Sequence, residues 1–99
     1  WVVDAMLGTG ARIPLRSPFP QILQFANQLE TFKLAVDIPT GVDCDTGQLD
    51  QVHFIPDVTC TFVRPKTGFA CANAETIFGK IRTIDIGIPP QILAEVTQV

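Results

Sequence analysis

Short apolar runs separated by glycine- and proline-containing loops set the pattern of this chain, and one longer stretch carries its apolar residues at helical spacing. Val2-Val3-Asp4-Ala5-Met6-Leu7, Lys33-Leu34-Ala35-Val36, Asp57-Val58-Thr59-Cys60-Thr61-Phe62-Val63 and Ile81-Arg82-Thr83-Ile84-Asp85-Ile86 read as four strands, the last ended by Gly87. The first two are near-continuous apolar runs, as expected of strands buried on both faces in a parallel sheet. The third is rich in β-branched and aromatic residues. Between the first two, Phe19, Ile22, Leu23, Ala26 and Leu29 recur at helical spacing. Ser17 is placed to be the N-cap of that helix and Pro18 its first residue, with the apolar stripe facing the core. Thr76 to Lys80 predicts a turn, and Pro89 or Pro90 starts a short last helix through Ile92, Leu93 and Val96. There is no internal repeat and no low-complexity tract.

This element order predicts an α/β fold: a Rossmann-like three-layer sandwich with a mostly parallel sheet. Residues 1–99 form a single domain in this reading. The first strand opens at residue 2 with no initiator Met, preceding helix or counterpart half-domain. The chain is therefore expected to be the C-terminal half of a larger domain, with the edge of its sheet open.

Two loops carry the candidate chemistry, because open α/β sheets bind ligands beyond the carboxyl ends of their strands. Val36-Asp37-Ile38-Pro39-Thr40-Gly41-Val42-Asp43-Cys44-Asp45-Thr46-Gly47 crowds three acids, two hydroxyls and two glycines behind the second strand. Pro39-Thr40-Gly41 must break that strand, so Asp37 stands at its C-terminal end. Gly8-Thr9-Gly10-Ala11-Arg12-Ile13-Pro14 follows the first strand. Its glycines let backbone amides approach a ligand, and successive N–H groups with Arg12 suit a phosphate or pyrophosphate. Taken on residue chemistry alone, Asp4 also fits a strand-end carboxylate that bonds neighbouring amides. Asp43, Asp45, Thr46 and Gly47 fit a turn with local Asx bonds, and Asp85 fits a strand end. Lys66 either reaches a phosphate or stabilises a loop carbonyl. The acids lack the spacing and terminal glutamate of a calcium loop.

Composition narrows the function classes. Hydrophobic residues make up 46% and charged residues 17% of the chain, which suits a folded domain. No apolar run approaches the roughly 20 residues of a membrane span, so no membrane partner is expected. The net charge of −3 comes without a basic patch and interleaved aromatics, so no nucleic-acid partner is expected either. Cys44, Cys60 and Cys71 have neither zinc-finger nor redox spacing and read as reduced thiols in a cytoplasmic-type compartment. Cys60 reads as core, Cys44 has no base positioned to activate it, and His53 reads as an ordinary loop residue.

Together, Val3-Asp4-Ala5-Met6-Leu7-Gly8-Thr9-Gly10, Pro14-Leu15, Ala35-Val36-Asp37-Ile38-Pro39-Thr40-Gly41-Val42-Asp43, Asp45-Thr46-Gly47, Thr61-Phe62, Pro65-Lys66-Thr67-Gly68 and Asp85-Ile86-Gly87-Ile88-Pro89 resemble the NAD(P)H-hydrate epimerases, the YjeF N-terminal-type domains. The family's Asn-Asn-Gly-Gly-Asp-Gly-like loop has no counterpart here. The resemblance implies an isomerase that interconverts the R and S forms of hydrated NADH and NADPH, small molecules damaged at the nicotinamide ring. It implies that Asp4 and Thr40, the latter in place of the commoner serine, help hold a potassium ion. Gly8, Thr9, Gly10, Ala11, Arg12, Ile13 and Pro14 would line the phosphate side of the substrate. Asp37 would contact the nicotinamide hydrate as acid and base, and a homodimer is compatible with the family habit. Two other classes remain: a non-catalytic dimerisation or interaction module of the same fold, as in enhancer-of-decapping proteins, and a truncated product with no activity of its own.

Overall fold

The computed structural model describes residues 1–7, 13–62, 67–70, 73–85, 87 and 91. Within them the chain forms β1 (Val2–Asp4), α1 (Phe19–Gln28), β2 (Lys33–Val36), β3 (Val58–Phe62), a 3₁₀ turn (Thr67–Ala70), α2 (Ala74–Phe78) and β4 (Lys80–Ile84). The strands make one sheet in the order β1-β2-β3-β4, and every pairing is parallel. The parallel α/β arrangement expected from the apolar runs is thus the one found. None of the described helices is long and apolar enough to cross a membrane.

Register fixes which side chains share a face. Asp4 pairs with Ala35, Ala35 with Thr59, and Thr59 with Ile81, so these four residues form one rung and point the same way. Both helices pack on that face. Leu23 and Ala26 of α1 bury against Ala35 and Phe54, while Ile77 and Phe78 of α2 pack with Ile38, Val42 and Phe69, with Ile81 alongside. Placing successive parallel strands side by side by right-handed connections puts every crossover on the same side of the sheet. Fully burying Leu23, Phe54 or Phe78 contributes about 2–3 kcal/mol each. On the opposite face Leu34, Val36, Val58, Cys60 and Phe62 are half-buried, and Val3 and Ile84 are exposed. Cys60 therefore lies on the more open face and outside the core clusters.

Two local expectations need correction. The N-cap of α1 is Pro18, with no side-chain cap bond, and Ser17 Oγ instead accepts from Gln21 Nε2 at 3.0 Å. Pro20 in the first turn has no N–H to satisfy, so a serine cap has less to do there. The helix also buries a narrower stripe than its spacing predicts. Leu23 and Ala26 are buried, but Ile22 and Leu29 face outward with Phe25. The predicted helix beyond Pro89 lies outside the described residues apart from Gln91.

The turn expected at Thr76 to Lys80 is the end of α2. Gly79 closes this helix with a φ of +64° and donates its N–H to Glu75 O at 3.0 Å. A Cβ at Gly79 would collide with the Asp57 carbonyl. The atoms it would meet are backbone and cannot rotate away, so Gly79→Ala is expected to destabilise the protein by roughly 2–4 kcal/mol. Urea denaturation followed by circular dichroism measures this, and an unchanged midpoint would contradict the packing described.

Candidate functional site

The site is built where β1 and β2 end. Asp4 closes β1 and is only 3% exposed. Its carboxylate accepts three hydrogen bonds: Oδ2 from Thr40 N at 2.7 Å, Oδ1 from Thr40 Oγ1 at 2.8 Å, and Oδ1 from Met6 N at 3.2 Å. The sequence leaves Asp4 open between a local amide bond and a shared site. The local bond is present, to Met6, and the same carboxylate also clasps Thr40.

Thr40 reaches Asp4 because the chain leaves β2 sharply. Asp37 takes a left-handed conformation, with φ +72°, immediately after the strand and donates its N–H to Cys60 O at 2.6 Å. Left-handed backbone is uncommon away from glycine, and aspartate and asparagine tolerate it best. Ile38 and Pro39 are then buried, and Val42 N–H closes a turn onto Pro39 O at 3.2 Å. Behind it, Gly41 has a φ of +94°, and a Cβ there would meet Val52 O at 2.6 Å. Phe54 N–H on Thr40 O and Asp50 N–H on Gly41 O, both 2.8 Å, hold the returning limb of the loop against this turn. Asp4, Asp37 and Thr40 are thus gathered at one edge of the sheet, with Asp37 half-buried.

The acidic run beyond has the turn chemistry expected of it. Asp43 Oδ1 accepts from Asp45 N at 2.9 Å and from Thr46 N at 3.1 Å, and Gly47 N–H returns to Asp43 O at 2.9 Å. Gly68 N–H on Cys44 O, at 2.8 Å, ties this turn to the 3₁₀ segment. Cys44 is half-buried, and its thiol donates towards Asp45 Oδ1 at 3.7 Å. Burial first, then the charge of Asp45, its hydrogen bond and the charge of Asp43 push the thiol pKa up. A raised pKa leaves less thiolate at any given pH below it. Cys44 is therefore expected to alkylate several-fold more slowly than a free thiol at pH 8, and Asp45→Asn to speed it up, as read by peptide mass spectrometry.

Of the expected phosphate loop, Gly8, Thr9, Gly10, Ala11 and Arg12 lie outside the described residues. Ile13 is half-buried and Pro14 exposed. Leu15 N–H then donates to Asp50 Oδ2 at 2.6 Å, and Asp50 Oδ1 accepts from Gln51 N at 2.8 Å. Pro14, Leu15, Pro20, Asp50, Gln51 and Val52 line a cleft of about 210 Å³ beside this junction. Asp50 thus anchors the exit of the glycine-rich loop, a role that nothing in its local sequence signals.

No group of three or more His, Cys, Asp or Glu side chains among the described residues is arranged to hold a metal. A potassium ion needs less acidic company, since neutral oxygens can replace its hydration shell. Asp4 and Thr40 fit such an ion in chemistry. The buried Asp4 carboxylate offers hard oxygen atoms, and the Thr40 hydroxyl that donates to it keeps its oxygen lone pairs.

Comparisons with known proteins place this geometry in a family. Residues 1–68 match the family model for the YjeF-related protein N-terminus. The NAD(P)H-hydrate epimerase of Pirellula staleyi is 45% identical over 96 residues, covering 97% of this chain and 42% of the relative. That of Rhodopirellula baltica is 40% identical over 94 residues, covering 95% of this chain and 38% of the relative. The bifunctional NAD(P)H-hydrate repair enzyme Nnr of Archaeoglobus fulgidus is 43% identical over 88 residues, covering 89% of this chain and 18% of the relative. The crystal structure of the yeast protein ynu0 superposes with a TM-score of 0.74 at 25% identity, covering 98% of this chain and 40% of that one. The chain spans about two fifths of the length of the two epimerases. With the matched residues running from β1 through the Asp4–Thr40 clasp to the 3₁₀ turn, the chain belongs to the YjeF-related N-terminal domain family.

Proposed function

We propose that this chain carries the Asp37 side of an active site that epimerises hydrated NADH and NADPH. The observation that carries the reading is the convergence of Asp37 with the buried Asp4–Thr40 clasp at the C-terminal edge of a parallel sheet. The epimerase names of the relatives support it.

Inverting the hydroxyl-bearing carbon of the hydrated ring requires that hydroxyl to leave and water to return on the other face. Asp37 in its acid form donates a proton to the departing hydroxyl, and the C–O bond breaks to release water. The ring nitrogen's lone pair stabilises the iminium-like cation left behind. Water then adds from the opposite face and loses its proton to solvent, and in the reverse direction the Asp37 carboxylate is the base that accepts the proton of the entering water. Gly8 to Pro14 would bind the phosphate side, with Arg12 supplying charge. Asp4 and Thr40 would hold a potassium ion, which supplies fixed positive charge when bound. In the fold itself the same pair anchors the turn that follows Asp37.

The test is to supply the intact protein with one purified epimer of hydrated NADPH and follow the appearance of the other by chromatography. Equilibration by the wild-type protein and its loss in Asp37→Asn support the reading. Failure of the wild-type protein to equilibrate the epimers would overturn it.

A further inference from the structure

Thr59 and Thr61 of β3 lie on the helix-covered face of the sheet, and both are fully buried. Their hydroxyls differ. Thr59 Oγ1 donates to Phe78 O at 2.6 Å. Thr61 Oγ1 has no hydrogen-bond partner among the described residues. A buried hydroxyl with no partner is a net cost to the fold, and a valine of nearly the same shape would fill the space without it. Packing therefore gives no reason for threonine at this position.

Its place in the sheet does. The last rung between β2 and β3 joins Val36 to Cys60 and is closed by Asp37 N–H on Cys60 O. Asp37 and Thr61 are the residues that follow this rung on the two neighbouring chains. At this step β2 departs and Asp37 adopts its φ of +72°, leaving the alternation of the strand. Thr61 stays in β3, held on its other side by pairing with Thr83 of β4. A rigid, buried donor with nothing to bond thus stands next to the residue that must keep a defined orientation through a proton transfer.

We propose that Thr61 is a positioning residue for Asp37, its hydroxyl donating a hydrogen bond to the Asp37 carboxylate in the substrate-bound state. This rests on Asp37 being the acid–base group. The hydroxyl touches no reacting atom. It selects one orientation of the carboxylate, so it acts on kcat and leaves substrate affinity alone.

The experiment compares Thr61→Val, Thr61→Ser and Asp37→Asn in the intact protein, measuring kcat, KM and melting temperature. Thr61→Val is expected to lower kcat by about 10- to 100-fold with KM within roughly twofold. Its melting temperature is expected to stay level or rise, because an unpaired buried hydroxyl has been removed. Thr61→Ser, which keeps the hydroxyl, is expected to retain kcat within roughly threefold. A Thr61→Val enzyme with normal kcat, alongside an inactive Asp37→Asn, would overturn the role of Thr61 and leave that of Asp37 standing. A Thr61→Val protein that melts lower and loses activity that serine does not restore would make the position structural and also overturn it. Normal activity in Asp37→Asn would instead remove the reading on which the proposal rests.

Discussion

Asp37→Asn is expected to lower the epimerisation rate about a thousandfold while leaving the melting temperature of the intact protein nearly unchanged. The size follows from the role. A positioned acid–base group contributes roughly 10²- to 10⁴-fold, and an amide of the same shape can hydrogen-bond but cannot pass a proton at neutral pH. The backbone makes asparagine the right replacement. Asp37 sits at φ +72°, where asparagine is as well accommodated as aspartate, whereas alanine adds about 1–2 kcal/mol of conformational strain. Asp37→Ala would therefore mix lost chemistry with a displaced loop. The measurement is the initial rate of R-to-S conversion with substrate varied. Equal falls in kcat and kcat/KM identify a group that acts in the transition state. A rate within tenfold of wild type would move the acid–base function to another residue.

The parallel sheet is legible because its strands write themselves in short apolar runs, and the end of the second run shows where Asp37 stands; the first run reads on to Leu7, whereas β1 ends at Asp4. The partners of Asp4 and Asp37 are not legible in the same way. Thr40 lies 36 residues from Asp4, and local periodicity says nothing about a bond across that separation. Family resemblance supplied the pair, and the structure adds that its members bond each other through a backbone amide and a hydroxyl. Leu15 and Asp50 meet across 35 residues with no motif to announce them. The five-residue helix α2 reads as a turn in the sequence because it is too short to show a repeating stripe, and its closing glycine is also a turn signal. The left-handed backbone of Asp37 is likewise a consequence of the fold. The chain must leave β2 abruptly to bring Thr40 back over Asp4, and aspartate absorbs that change of direction.

That return path makes Asp4 the residue on which the loop depends and, in the proposed site, a ligand of the potassium ion, and two substitutions separate the roles. Asp4→Ala removes all three acceptor contacts, leaving the buried Thr40 amide and hydroxyl without their partner. Each orphaned group costs about 1–3 kcal/mol, offset in part by no longer burying a charge, so a net loss of about 2–4 kcal/mol is expected. Asp4→Asn keeps one acceptor for the Thr40 amide, and the Thr40 hydroxyl can rotate to accept from the new NH₂ group. Only the bond from Met6 N, at 3.2 Å, is surrendered, so the loss should be about 1 kcal/mol. The charge is gone in both variants. Denaturation in potassium chloride against sodium chloride at equal ionic strength then reads the ion directly, because a ligand that binds only the folded state raises its stability. The wild-type protein is expected to be more stable in potassium, and Asp4→Asn to show no difference between the salts. A potassium effect that survives in Asp4→Asn would exclude this carboxylate as its ligand, whereas an Asp4→Ala protein of wild-type stability would show that Thr40 is held by something other than the clasp.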